Sequence, residues 1–303
     1  MRLALDIGGT AVKCAAVNDK GEIVHDGEFR TRTEFDTEDF GRFLVDGARG
    51  LMGRWGGEYK LVGAGMAGFA DGKKGMIYES PNMPGVKDFE LARVLREGLE
   101  LPAYIDNDAT VAAWGEFLLG GHGEIQDMLV VTLGTGIGGG LVLDGRLYRG
   151  AHGMAGEIGQ MTYEPDGPQC PGGPKGCLEY FVGKAGLMED YRSRSELTDT
   201  VAPRIIHERA VDGDSAAVES WNQYGHHLGV ILASSANLLD LGAVILTGGL
   251  AGAWDQFQES LTISFKDHLI APLKESLTVT LTTLSGNAGI LGAAFLDRAN
   301  SKE

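Results

Sequence analysis

The chain has 303 residues, 43% of them hydrophobic, and a formal net charge of −16. That length fits about two globular domains, and the acidic balance weighs against nucleic acid or an anionic membrane face as a partner. No basic region precedes an apolar stretch at the N-terminus, and no apolar run approaches the ~18 residues of a membrane span, so a cytoplasmic location is expected.

Residues 2–33 read as strand, turn, strand, turn, strand, with later turns at Lys20-Gly21 and Asp26-Gly27. The first turn is Asp6-Ile7-Gly8-Gly9-Thr10. It follows the apolar run Leu3 to Leu5 and leads into a second strand-like run, Val12 to Val17. Glycines leave backbone N–H groups uncovered, and successive uncovered N–H groups form an anion-binding concavity. The bland reading is a plain hairpin turn. Asp6 weighs against it, because a carboxylate at the end of a buried strand is costly unless paired or near a metal. Beside a polyphosphate Asp6 could hold Mg²⁺ through water, and Thr10 could donate its hydroxyl to a phosphate oxygen.

Residues 36–55 have helical spacing at Phe40, Phe43, Leu44 and Leu51. Leu61 to Met66 reads as a strand, Phe69 to Ser80 as a glycine- and lysine-rich loop, and Phe89 to Leu99 as a short helix. Ala103 to Ile105 is a buried strand ending at Asp106-Asn107-Asp108, and a helix follows over Ala109 to Leu119. This alternation is the α/β pattern. The Asp-Asn-Asp run reads as a helix N-cap. Three polar residues exceed what capping needs, and ligands of open α/β sheets bind at the carboxyl ends of strands. A carboxylate there can take a proton from a substrate hydroxyl.

Met128 to Leu133 is a strand-like run entering the second glycine turn, Gly134-Thr135-Gly136-Ile137-Gly138-Gly139-Gly140, and Leu141 to Leu143 continues as strand. Gly63 to Gly68 and Gly134 to Gly139 both match G-x-G-x-x-G. Neither third glycine opens a helix, so a dinucleotide site is not expected. The lysine-bearing phosphate loop of Walker-type enzymes is absent.

Residues 150–177 form a long loop rich in Gly, Pro and acids, with Glu157 and Glu179 at its edges; such a loop can be a substrate-binding insertion. Cys14, Cys170 and Cys177 do not make a disulfide framework. Cys170 and Cys177 supply half of the four-ligand set of a structural zinc site, and the alternative is a loop with two free thiols. Cys14 reads as a core strand residue, and His226-His227 as helix surface. The stretch 178–240 is mostly helical. Ala243 to Leu246 is a strand running into Thr247-Gly248-Gly249, Leu277 to Leu284 another strand, and Ala288 to Arg298 a closing helix.

Taken in order and spacing, these segments resemble the ROK family of sugar kinases and repressors over almost the whole chain. The segments concerned are Leu5 to Thr10, Ile105 to Ala109, Thr132 to Gly140, Ala151 to Gly159, and Asn237 to Gly249. The resemblance implies an α/β chain with a two-domain, actin-like or hexokinase-like (ribonuclease H-like) fold and a cleft between the domains. The expected small domain is residues 1–107 closed by 286–303, and the large one 108–285. It implies ATP-dependent phosphorylation of a hexose, with Mg²⁺, in a homodimer. Asp108 would be the general base. Gly68, Asn82, Asn107, Asp108, Glu157, Gln160 and Glu179 would lie on the sugar side. Asp6, Gly8, Gly9, Thr10, Lys13, Gly134, Thr135, Gly136 and Gly138 would serve the phosphates, and Gly248 and Gly249 the adenosine.

The chain departs from the family pattern at two zinc ligands: position 160 is Gln where the family has His, and position 172 is Gly where it has Cys. Zinc is therefore not expected. Gln still donates and accepts hydrogen bonds, so sugar binding need not fail. Glucose, phosphorylated on its 6-hydroxyl, is the first expectation for the substrate. The family also includes kinases for N-acetylglucosamine, N-acetylmannosamine, fructose and allose. A sugar-responsive repressor is disfavoured because the chain starts at the first strand of the kinase core, and a non-catalytic sugar binder because Asp108 and both glycine turns are retained.

Overall fold

The structure is a computed structural model, described over residues 1–31, 35–170, 173–195 and 197–300. Residues 32 and 33, at the end of the expected third strand, and Gly172 lie outside the described residues. The elements in chain order are β1 (Arg2–Ile7), β2 (Ala11–Val17), β3 (Ile23–Arg30), α1 (Thr37–Trp55), β4 (Val62–Met66), β5 (Phe69–Asp71), β6 (Met76–Glu79), β7 (Lys87–Phe89), α2 (Leu91–Leu99), β8 (Ala103–Asn107), α3 (Asp108–Leu119), β9 (Met128–Leu133), β10 (Ile137–Leu143) and β11 (Arg146–Tyr148). There follow α4 (Leu178–Val182), α5 (Lys184–Arg194), α6 (Pro203–Val211), α7 (Ser215–Leu239), β12 (Ala243–Thr247), α8 (Trp254–His268), β13 (Val279–Leu281) and α9 (Ala288–Ala294). No described helix is long and apolar enough to cross a membrane.

Two compact units emerge: residues 1–126, 140–156 and 282–303 form one, and 127–139 with 157–281 the other. The expected boundaries at 107/108 and 285/286 differ from these because α3 packs on α9 and so stays with the first unit.

In the first unit, the sheet runs β3-β2-β1-β4-β8, with β1, β4 and β8 parallel. Side chains alternate along a strand. Leu3, Leu5 and Ile7 pack with Phe40, Leu44 and Leu51 of α1 and Leu91 and Leu95 of α2. Asp36 caps α1, its side chain accepting from the Asp39 N–H at 2.8 Å. Gly27, expected in a turn, is inside β3 opposite Cys14. A side chain there would press on Leu51 and Trp55, so the glycine lets α1 close on the strand. The expected loop 69–80 is instead two strands of the small sheet β5-β6-β7, and its lysines occupy only the connecting turn. The closing helix stops at Ala294 rather than Arg298.

In the second unit, β12 pairs in parallel with β9 and β13. The order of these three strands is β9-β12-β13. The predicted strand 277–284 shrinks to β13. After Leu281 the chain turns aside: Thr282 Oγ1 donates to the Glu116 carboxylate and Thr283 Oγ1 donates to the Gly120 carbonyl. Helix α8 had no counterpart in the sequence reading, although Phe257, Leu261, Ser264 and Phe265 bury one helical stripe of it. His227 is not surface. It is half-buried, with Nδ1 2.9 Å from the Tyr163 hydroxyl and its ring against Phe181. Cys14 is buried on β2, as expected.

Candidate active site

In the first unit, the strand register places Asp6, Gly65 and Asp106 in one row across β1, β4 and β8. Asp6 is half-buried and stands opposite exposed Lys13. Burial pushes its carboxyl above the ordinary aspartate value, and the Lys13 ammonium opposes that. The turn after it is closed by the Gly8 N–H donating to the Ala11 carbonyl at 3.1 Å. The Thr31 hydroxyl donates to the Gly8 carbonyl at 3.0 Å, and the Thr31 N–H to that of Thr10. Thr10 is exposed. Asn82 packs on this turn: a Cβ at Gly9 would lie 3.0 Å from the Asn82 Cβ.

Beyond β8, Asn107 is the N-cap of α3. Its Oδ1 accepts from the N–H groups of Ala109 and Thr110, at 2.9 and 3.1 Å, and its Nδ2 donates to the Gly68 carbonyl at 2.9 Å. Both acceptor positions of this side chain are therefore used by the fold, so only its remaining amide hydrogen is open to a ligand. Asp108 begins the helix and is half-buried. Burial pushes its carboxyl up to about 6; the charge of Asp6 adds to the rise, and hydrogen bonds at the helix start oppose it. A carboxyl poised there is an ionised acceptor at neutral pH and can hold a proton without a large penalty.

One member of this site carried no signal in the sequence. Arg149, 6% exposed, follows β11 and donates from Nε to Asp106 Oδ2 at 2.5 Å. Asp106 Oδ1 accepts from the Asn107 N–H at 3.0 Å. Burial raises the Asp106 carboxyl, and the guanidinium opposes the rise.

In the second unit, the Gly134 N–H donates to the Gly136 carbonyl at 3.0 Å, leaving Thr135 exposed at the tip. Gly138 lies in β10, past the turn proper. Glu179, on the first turn of α4, reaches this turn: its Oε2 accepts from the Ile137 N–H at 2.9 Å. The family resemblance implies Glu179 on the sugar side and Gly136 on the phosphate side; the structure brings the two together. Gly248 and Gly249 follow β12, whose Thr247 is in register with Thr132 of β9. A cavity of about 630 Å³ opens beside the turn, lined by Thr135, Glu179, Gly183, Lys184, Met188 and Thr200. That volume is in the range of small-ligand pockets.

The loop ahead of α4 holds the remaining residues. Glu157 precedes a 3₁₀ turn, and its carbonyl accepts from the Gln160 N–H at 3.0 Å. The Gln160 side-chain oxygen is buried, has no hydrogen-bond partner among the described residues, and lies against Gly173. Cys170 and Cys177 are joined in a disulfide, in place of the zinc-half-site or free-thiol readings. Disulfide sulfurs are not the thiolates that zinc requires, and no group of three or more His, Cys, Asp or Glu among the described residues is placed to hold a metal. The donors present do not fit a zinc site.

Comparisons with known proteins agree on one family. The pattern of the ROK family matches residues 2–300. A glucokinase from Halalkalibacterium halodurans is 31% identical, over 99% of this chain and 96% of that protein. The structure of a ROK family glucokinase from Streptomyces griseus, in complex with glucose and AMPPNP, is 29% identical with a TM-score of 0.85, over 97% of this chain and 98% of that one. A ROK hexokinase from Thermus thermophilus is 31% identical with a TM-score of 0.83, over 99% of each chain. These neighbours carry the actin-like, hexokinase-like two-domain fold, and the chain belongs to the ROK family.

Proposed function

We propose that this protein is an ATP-dependent hexose kinase acting on glucose, with transfer of the γ-phosphoryl group to the 6-hydroxyl. The observation that carries the reading is Asp108: a half-buried carboxyl at a strand end, poised near neutrality, on a helix start fixed by Asn107. Glucose is favoured because full-length relatives bear the name glucokinase.

Phosphoryl transfer relies mainly on positioning and charge neutralisation. In this reading Asp108 accepts the proton of the attacking hydroxyl. The turns Gly8-Gly9-Thr10 and Gly134 to Gly136 face the phosphates, with the Gly8 and Gly134 N–H groups closing the turns and those of Gly9, Thr10, Thr135 and Gly136 binding phosphate oxygens, and Gly248 and Gly249 lie on the adenosine side. Mg²⁺ carried by ATP would be held through water by Asp6, whose half-buried carboxyl beside the first turn fits that task, and would neutralise phosphate charge. Lys13 balances Asp6. Gly68, Asn82, Glu157, Gln160 and Glu179 contact the sugar, with the free amide hydrogen of Asn107. The working form is a homodimer in the cytoplasm, with no nucleic acid or membrane partner and no zinc.

The test is ADP release, with ATP and Mg²⁺, over a panel of glucose, fructose, allose, N-acetylglucosamine and N-acetylmannosamine. Turnover highest on glucose is the expected result. A preference for an N-acetylhexosamine would keep the kinase and replace the sugar. Binding without turnover on every sugar would leave a non-catalytic binder.

A further inference from the structure

Asp106 is buried, and among the described residues Arg149 is the cation that pairs with it. The pair is almost dry, with the two side chains 5% and 1% exposed. A carboxylate so placed cannot stay ionised without its partner. The consequences run along the chain. Asp106 Oδ1 holds the Asn107 N–H, the Asn107 side chain holds the first N–H groups of α3, and Asp108 is the first residue of that helix. Arg149 also shapes its own segment, since its carbonyl accepts from the Ala155 N–H at 3.2 Å just before Glu157. Its Nη2 is buried and has no hydrogen-bond partner among the described residues. An arginine spending only Nε on its carboxylate, with a donor left over, is placed for the carboxylate's position more than for the number of bonds it makes.

We propose that Arg149 is a positioning residue: through Asp106 it sets the strand end and helix start that carry Asp108. The consequence for turnover rests on the reading of Asp108 as the base; the structural link does not.

The experiment compares wild type, Arg149→Lys, Arg149→Met, the double variant Arg149→Met with Asp106→Asn, and Asp108→Asn, all as the full chain. Two quantities are read. The first is amide hydrogen exchange of Ala109 and Thr110, set against exchange in the middle of α1. In Arg149→Met the two α3 amides should exchange at least about tenfold faster while α1 is unchanged. The second is steady-state kinetics per folded molecule. In Arg149→Met, kcat should fall roughly 100-fold with little change in the KM for ATP, the size expected of a slight misplacement of a catalytic group. Arg149→Lys should recover part of both, and it stays informative if the Met variant does not fold. The double variant should be no slower than Arg149→Met, because the two residues act as one pair.

Unchanged exchange at Ala109 and Thr110, or an equal rise in α1, would overturn the proposal, since it would show no link or only a loss of general stability. Loosened amides with full turnover would also overturn it, provided Asp108→Asn is inactive. Should Asp108→Asn keep full turnover, the base reading is the one that fails, and the exchange data alone then decide the role of Arg149.

Discussion

The carboxylate of Glu179 accepts a hydrogen bond from the backbone N–H of Ile137, at 2.9 Å. A side chain on the start of α4 thereby completes a glycine turn 42 residues earlier in the chain. A Cβ at Gly136 would collide with that carboxylate. Gly136→Ala should therefore swing Glu179 away and leave the Ile137 N–H, on a residue 5% exposed, without its partner. The expected cost is about 1–3 kcal/mol of stability, with KM raised for both sugar and ATP. Glu179→Gln keeps an acceptor oxygen and should keep most of the stability while losing sugar affinity. Chemical denaturation and steady-state kinetics on the two variants check this; a Gly136→Ala protein with unchanged kinetics would break the link between the turn and the carboxylate.

Asp108→Asn should reduce kcat by about 10²–10⁴-fold, the usual worth of a general base, with sugar binding retained by calorimetry. In the wild type, kcat/KM should fall on the acid side of about pH 6, where the carboxyl takes up its proton.

The same residue predicts a change in stability of opposite sense. Its folded-state value near 6 lies above the ordinary 3.8, so the fold favours the protonated form. The stability contributed by Asp108 is complete below about pH 4 and is lost as the pH rises through 6. Asp108→Asn escapes that loss. Relative to wild type it should gain about 2–3 kcal/mol between pH 4 and pH 8, measured by urea unfolding at the two values.

His227 behaves in the reverse direction. Burial, with the neighbouring His226, holds its imidazole down to about 4 from 6.5. Its neutral form stabilises the fold above about pH 6.5, and that contribution is lost as the pH falls towards 4. His227→Gln, which can still hydrogen-bond Tyr163, should flatten the acid limb of stability by about 2–3 kcal/mol over that interval. Thermal melts at pH 7.5 and pH 4.5, with wild type and His227→Gln side by side, supply the comparison.

Cys177 is the residue immediately before α4, so the disulfide closes the loop next to Glu179. Replacing both Cys170 and Cys177 by Ser should cost about 2–3 kcal/mol from the freed short loop, and should raise the KM for sugar more than it lowers kcat. A thiol count under denaturing conditions establishes the bond directly: one free thiol, Cys14, is expected, and three would remove the crosslink from the fold.

The parts visible in the sequence were those with local causes. The spacing of Phe40, Phe43, Leu44 and Leu51 marks α1, because a helical stripe is written within a few turns of the chain. The two glycine turns and Asp106-Asn107-Asp108 were legible because strand, turn and helix signals adjoin there. Arg149 was not: a single arginine after Tyr148 says nothing of the strand 43 residues earlier that supplies its partner. Gly27 misled for a related reason, since a glycine that admits α1 looks the same in sequence as one that makes a turn. The lysines at 73 and 74 hid β5 and β6, each too short to show its own alternation. The disulfide escaped because its cysteines invite comparison with a metal site, and only their approach in space joins them.

Gly248 has φ at +95°, and its backbone sits on Leu133, with the Leu133 N–H nitrogen 2.8 Å from where a Cβ would be. The residue just after β12 and the last residue of β9, ahead of the second glycine turn, thus share one space. Any side chain at 248 would disturb the stretch 133–136 as well as its own. The two segments are mechanically one part: altering one of them alone would be working on both, and libraries that vary them together have the better prospect of leaving a folded protein.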